Sequence, residues 1–225
     1  MRIATTVVTL YIFSKDGCFY SPGNEYEFHQ LEAWDLSDHS CPKDQLIDPT
    51  FSSPQTIQEM KDYQSSHRQI CYFVKHLVES SGDLLLVIRF FILESVSEED
   101  QFEDLYDKPM FHRTLRLDVH KLNFDLNKWE PVACLNDRAL FVGYNHSFSL
   151  STRDYPELSE NSIYFTEYSE EEGIYPNTGH DNGVFHLEDK SITYYCTHDW
   201  KLIELHSFWV PSPVWVCVAQ NSASW

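Results

Sequence analysis

A chain of 225 residues is long enough to bury one sizeable core, and all-β domains of this length commonly form a single unit. Its formal net charge of −19, from 35 acidic against 16 basic side chains, repels phosphate backbones and anionic headgroups, which argues against nucleic acid and membrane surfaces as partners. Fifteen Phe, 13 Tyr and 6 Trp against 3 Met suit the half-buried surface of strands better than helix interiors and point to an all-β class.

The first predicted element is a strand from Thr5 to Phe13. Met1 to Phe13 superficially resembles a secretory leader with Arg2 as its basic end. However, the segment is rich in Thr and β-branched residues, lacks a small-residue cleavage site and runs straight into the turn Ser14-Lys15-Asp16-Gly17. Cys18 to Tyr20, Tyr26 to Leu36 and about Asp44 to Ile47 complete a first group of four strands. Asp48 to His67 is a polar insertion. Within it Ser53 before Pro54 gives a helix start, and Ile57 and Met60 a short apolar stripe before Tyr63, so one or two short helices are expected in insertions.

The second group is Ile70 to Val78, the turn Ser80-Ser81-Gly82-Asp83, Leu84 to Leu93, Leu115 to Phe124 and Lys128 to Val132. An acidic loop, Glu94 to Pro109, interrupts it with Glu94, Glu98, Glu99, Asp100, Glu103, Asp104 and Asp107, and a second acidic run spans Glu167 to Glu172. Such runs read as solvated loops before they read as docking sites for a basic partner. A third group holds Arg138 to Val142, Ser147 to Leu150, Ser162 to Thr166, Gly183 to Leu187 and Ser191 to Tyr195, one strand more than its neighbours. Ala139 to Val142 and Ser147 to Leu150 flank a Gly143-Tyr144-Asn145-His146 turn, and Asn182-Gly183 before Val184-Phe185 reads as a hairpin turn, since both residues accept positive φ. In the tail, Pro211 and Pro213 exclude a central strand over Phe208 to Val216. That stretch reads as an edge segment or a wrap, with Trp209 and Trp215 buried against the domain.

Three segments share an aromatic, a polar residue, Leu and a polar turn: Trp34-Asp35-Leu36-Ser37, Phe124-Asp125-Leu126-Asn127 and Phe185-His186-Leu187-Glu188. Alternation places the aromatic and the Leu on one strand face, which predicts three equivalent hairpins. Repeated groups of four antiparallel strands are the pattern of propeller blades, and the two insertions account for part of the long period. The expected fold is a partial kelch-like β-propeller of about three to four four-stranded blades.

Several motifs in one order extend the comparison to a known family. His76-Leu77-Val78-Glu79-Ser80-Ser81-Gly82-Asp83-Leu84-Leu85-Leu86-Val87 comes first. Lys128-Trp129-Glu130, Asp137-Arg138-Ala139-Leu140-Phe141-Val142-Gly143, Asn161-Ser162-Ile163-Tyr164-Phe165-Thr166 and Gly183-Val184-Phe185 follow, with Leu31-Glu32-Ala33-Trp34-Asp35-Leu36 upstream. Together they resemble the plant F-box-associated KIB-type propeller family, long labelled a domain of unknown function. The resemblance implies a kelch-like propeller that usually follows an F-box, with the F-box binding the Skp adaptor of a ubiquitin ligase and the propeller presenting the target. Nothing before Thr5 has the length of an F-box bundle, so residues 1–225 are expected to be a single, incomplete propeller domain without an F-box, which argues against Skp binding.

No catalytic signature is present: there is no Gly-x-Ser-x-Gly elbow, no His-Glu-x-x-His helix and no phosphate-cradling Gly-Lys loop. Cys196, His198 and His206 lack the close ligand pairs of a structural zinc site, and Gly179-His180-Asp181-Asn182-Gly183 reads as a turn before it reads as a catalytic pair. Asn145-His146-Ser147 matches the glycosylation triplet inside a predicted turn and is read as a chance match. Cys18, Cys41, Cys71, Cys134, Cys196 and Cys217 are expected to be reduced thiols. No apolar segment is long enough to cross a bilayer, and a cytoplasmic or nuclear location is expected. The expectation is a non-enzymatic protein-interaction module without metal or cofactor, whose protein target and contacting residues are unknown. A carbohydrate-binding or glycoside-hydrolysing propeller is the alternative, since propellers with paired acids can cleave sugars, and a truncated product without stable function is the third reading.

Overall fold

A computed structural model of the chain describes residues 13–15, 18–23, 30–35, 43–52, 71–95, 110–143, 146–166 and 181–195. Fourteen strands in three sheets, and no helix, are found among the described residues. The first sheet takes β1 (Phe13–Lys15), β2 (Cys18–Pro22), β3 (Leu31–Asp35) and β4 (Lys43–Ile47) in chain order, all antiparallel. The central sheet holds β5 (Thr50–Phe51), β6 (Cys71–Ser80), β7 (Asp83–Ser95), β8 (Met110–Asn123) and β9 (Lys128–Pro131) in the order β5-β9-β8-β7-β6. The third sheet holds β10 (Arg138–Val142), β11 (Phe148–Ser151), β12 (Ser162–Phe165), β13 (Gly183–His186) and β14 (Ile192–Tyr194) in the order β11-β10-β12-β13-β14.

The all-β class and the grouping of strands therefore stand, as a partial propeller of three sheets. The supernumerary strand of the third group has a physical place: β10 pairs antiparallel with β11 on one side and parallel with β12 on the other. Such a parallel partner needs a crossover, and residues 152–161 supply it. The fifth strand of the central sheet, β5, comes from the polar stretch read as an insertion and pairs parallel with β9. The short helices expected at Ser53 to Tyr63 fall outside the described residues, as do the predicted strand over residues 5–12, the acidic stretches 96–109 and 167–172 and the tail, whereas Glu94, read as the start of the first acidic loop, still belongs to β7.

Strand β7 explains why the sheets stack. Leu84-Leu85-Leu86-Val87-Ile88-Arg89-Phe90-Phe91-Ile92 is buried throughout, so both faces of the central sheet are covered. Leu84, Leu86, Ile88 and Phe90 pack with Leu77 and Trp129 against Tyr20, Leu31 and Ala33 of the first sheet. Leu85 and Val87 pack with Leu117 and Val119 against Leu140, Val142, Ile163, Phe165 and Phe185 of the third. Each such side chain contributes about 1.5–3 kcal/mol of transfer free energy, so these two seams dominate cohesion. Strand β6 approaches β1 and β2 on one side and β10 and β11 on the other, so the three sheets converge along one edge, as blades do about an axis.

The β6–β7 turn forms as predicted. Ser81 (φ 55°) and Gly82 (φ 83°) make a two-residue loop closed by Ser80 opposite Asp83, the backbone that matches right-handed strand twist. The three aromatic-x-Leu segments are not equivalent. Phe185 and Leu187 are buried together, whereas Leu126 is 60% exposed and Trp34 is 37% exposed. Leu126 belongs to the four-residue β8–β9 turn, where alternation has already ended.

The Asn182-Gly183 reading is corrected as well. Neither residue has positive φ, Gly183 opens β13, and Asp181 and Asn182 are buried. Gly183 is required for another reason: a Cβ there would lie 2.5 Å from Thr193 O and 3.0 Å from the Phe165 ring.

Candidate functional site

The most polar constellation among the described residues lies inside the seam between the central and third sheets. Arg89 is the one charged residue in the apolar run of β7, and alternation points it with Leu85 and Val87 toward the third sheet. Its Nη2 donates to Asp181 Oδ2 at 2.6 Å and to Asp181 O at 3.2 Å, its Nη1 to Thr166 O at 2.5 Å and its Nε to Thr114 Oγ1 at 2.7 Å. Both charged side chains are out of solvent, at 1% and 0% exposure. The guanidinium also lies 4.8 Å from the Phe165 ring centroid, on its face.

Thr114 reaches this point because β8 bulges. The register shifts between Phe90 and Phe91, which face Arg116 and Thr114, leaving Leu115 as the extra residue. Without the bulge Thr114 would share a face with Arg116 and Asp118. With it, the Thr114 amide donates to Asp181 Oδ1 at 2.9 Å and its hydroxyl to Oδ2 at 2.7 Å, while Leu115 turns to the first-sheet side. Tyr194 closes the set by donating its hydroxyl to Thr114 O at 2.6 Å. Burial, followed by the Asp181 charge, pushes the Tyr194 phenol above its usual range.

Two histidines border this charge. Burial, and then the Arg89 charge, lowers His76 from 6.5 to about 3, and its Nδ1 lies 3.4 Å from Ser147 Oγ. His112 is lowered from 6.5 to about 4 by burial and by Arg89, with Asp181 opposing, and its ring meets Phe91 edge-on at 4.8 Å. On the other face of the central sheet, His120 lies 4.8 Å from the Phe51 ring, and burial lowers its pKa. These rings are neutral at pH 7 and serve as packed, weakly basic groups.

The chemistry open to this arrangement is narrow. Arg89 and Asp181 spend their charges on each other, which leaves no open position for a substrate. In the Ser162–His186 pair, 3.1 Å apart, the hydroxyl donates to Glu160 O at 2.9 Å, so its proton is not directed at the imidazole. Ser147 and His76 are each 1% exposed, and a histidine lowered to about 3 is a poor base at neutral pH.

Of the residues weighed in the sequence, Asp181 joins the buried network instead of a turn, and Ser147 is buried beside His76. Cys196, His198, His206, Gly179, His180 and Asn145 lie outside the described residues. Cys18 and Cys134 carry free thiols, and burial raises the Cys71 thiol, which donates to Tyr72 O at 3.7 Å, to about 11. No group of three or more His, Cys, Asp or Glu converges among the described residues, and no helix there is long and apolar enough to cross a membrane. Local sequence reasoning missed the Arg89–Asp181 pair. The available signal was a lone cation within an unbroken apolar strand, which demands a buried counter-charge.

Another polar knot forms where β12 begins. Asn161, at φ 52°, accepts the Leu135 amide on its side chain at 2.8 Å, donates its own amide to Arg138 O at 3.0 Å and accepts the Leu187 amide at 3.1 Å. One left-handed Asn thus ties three separate segments of the third sheet together.

The fold and this geometry define a β-propeller-type protein whose seams are structural. The sequence profile of the KIB1-4 β-propeller family matches residues 5–186, and the chain belongs to that family. It is 32% identical over 117 residues to a putative F-box protein of Arabidopsis thaliana, At3g25750, covering 52% of this chain and 27% of that one. It is 30% identical over 148 residues to the Arabidopsis F-box protein SKIP23, covering 63% of this chain and 35% of the relative. A third relative, the Arabidopsis F-box protein At2g17690, is 36% identical over 81 residues, covering 36% of this chain and 17% of its own length. The chain therefore spans about a third or less of these relatives. No solved structure matches it significantly.

Proposed function

We propose that the chain is a protein-docking module in which stacked sheets hold turns and rim segments in place for a protein target. The observation that carries this reading is the family match over residues 5–186, which takes in every described strand except β14. Relatives named F-box proteins support a target handled in the ubiquitin pathway, with this part of the chain on the target side and not the adaptor side. The closed Arg89–Asp181 seam is consistent with rigid positioning, because such recognition places variable contacts on loops held by a stiff scaffold. Residues 1–225 are proposed to act as one docking unit. Proximity labelling in plant cells with the chain as bait tests this. A reproducible protein target enriched over a bait carrying a disrupted seam supports the reading, and the absence of any reproducible protein neighbour overturns it.

A further inference from the structure

Strand β12 ends at Phe165 and β13 begins at Gly183, and these two residues already pair with each other in the third sheet. Just beyond them the chain departs at Thr166 and returns at Asp181. Both points are bound by one side chain of another sheet: Arg89 donates through Nη1 to Thr166 O at 2.5 Å and through Nη2 to Asp181 O at 3.2 Å and Oδ2 at 2.6 Å. Arg89 is itself fixed by Nε to Thr114 Oγ1, and the β8 bulge aims Thr114 so that its amide and hydroxyl hold the same carboxylate.

The strand ladder does not need this cross-tie to close, and a buried ion pair is a costly way to add cohesion when well-packed apolar side chains would serve. Its geometry provides something else, a fixed position for both ends of one connection relative to the central sheet. We infer that Arg89 is a two-ended clamp, which joins the departure and return points of the segment between Thr166 and Asp181 to the β7–β8 hairpin as one cooperative unit. The place from which that segment leaves the third sheet is then set by the central sheet. Loosening the clamp frees both ends together and leaves the far sheet untouched.

Hydrogen exchange of the full chain separates this device from general stability. Arg89→Met removes every donor while keeping an aliphatic stem, Thr114→Val removes only the hydroxyl relay, and Leu84→Ala weakens the opposite seam against the first sheet. With Arg89→Met, amides at 163–166 and 182–185 are expected to exchange about tenfold or more faster, while those of Cys18–Pro22 and Leu31–Asp35 stay within about twofold of wild type. Thr114→Val gives the same pattern at about threefold, and it decides the matter alone if Arg89→Met does not fold. Leu84→Ala is expected to spare 163–166 and 182–185. The inference is overturned if both clamp variants leave those amides within twofold, if exchange rises equally in all three sheets, or if Leu84→Ala accelerates them as much as the clamp variants do.

Discussion

Acidification weakens this fold through two neutral histidines in the seam between the central and third sheets. His76 and His112 have ordinary values of 6.5 and folded values of about 3 and about 4, depressed by burial and by the Arg89 charge. As pH falls below 6.5 the unfolded chain takes up these protons and the folded chain does not, so stability present above 6.5 is lost progressively toward pH 3–4. At pH 5, 1.5 units below the unfolded value, each group costs about 2 kcal/mol at about 1.4 kcal/mol per unit, or about 4 kcal/mol together. That is a large share of the roughly 5–15 kcal/mol of an ordinary domain. Protonation of surface carboxylates opposes it, since it relieves the self-repulsion of a chain with net charge −19. Urea unfolding at pH 7.5, 6.5, 5.5 and 5.0 measures the sum, and His76→Leu isolates one group: the variant is expected to lose about 2 kcal/mol less than wild type between pH 7.5 and 5.0. Wild-type stability that is flat or rising from pH 7.5 to 5.0, or an unchanged slope in His76→Leu, refutes the reasoning.

Other substitutions test packing directly. Gly183→Ala brings a Cβ to 2.5 Å from a backbone oxygen of β14, so thermal unfolding is expected to show a loss of about 2 kcal/mol or more, and a neutral result contradicts that close approach. Trp129 is fully buried against the first sheet, and Trp129→Ala is expected to cost about 3–5 kcal/mol in urea titration. Two leucines read as equivalent in the sequence part company here. Leu187→Ala, at 2% exposure, is expected to cost about 2–5 kcal/mol, and Leu126→Ala, at 60% exposure, less than about 0.5 kcal/mol by the same assay. Equal losses restore the idea of equivalent hairpins.

Period-2 alternation, turn residues and apolar runs carry the strand content of the chain, because these are local properties. The Ser81-Gly82 turn and strands β6, β7, β10 and β12 were legible for that reason. What escaped is non-local. The parallel pairing of β10 with β12 depends on a crossover, and β5 is two residues long and defined only by its partner β9. Asn182-Gly183 carries strong hairpin chemistry, yet Gly183 is demanded by the close approach of Thr193 and not by φ. Asp181 sits 92 residues from Arg89, and the bulge at Leu115 that brings in Thr114 breaks the alternation on which sequence reading depends. The Arg inside β7 was visible all along as a charge that an apolar strand cannot bury alone.

The functional claim is that this fold docks a protein and does not act on sugar. Its most direct measurement sets the purified chain, side by side, against the protein target recovered by proximity labelling and against a panel of plant glycans, reading equilibrium binding and glycan hydrolysis together. The account predicts saturable binding of the protein with neither retention nor cleavage of any glycan. Glycan binding or hydrolysis without protein binding contradicts it.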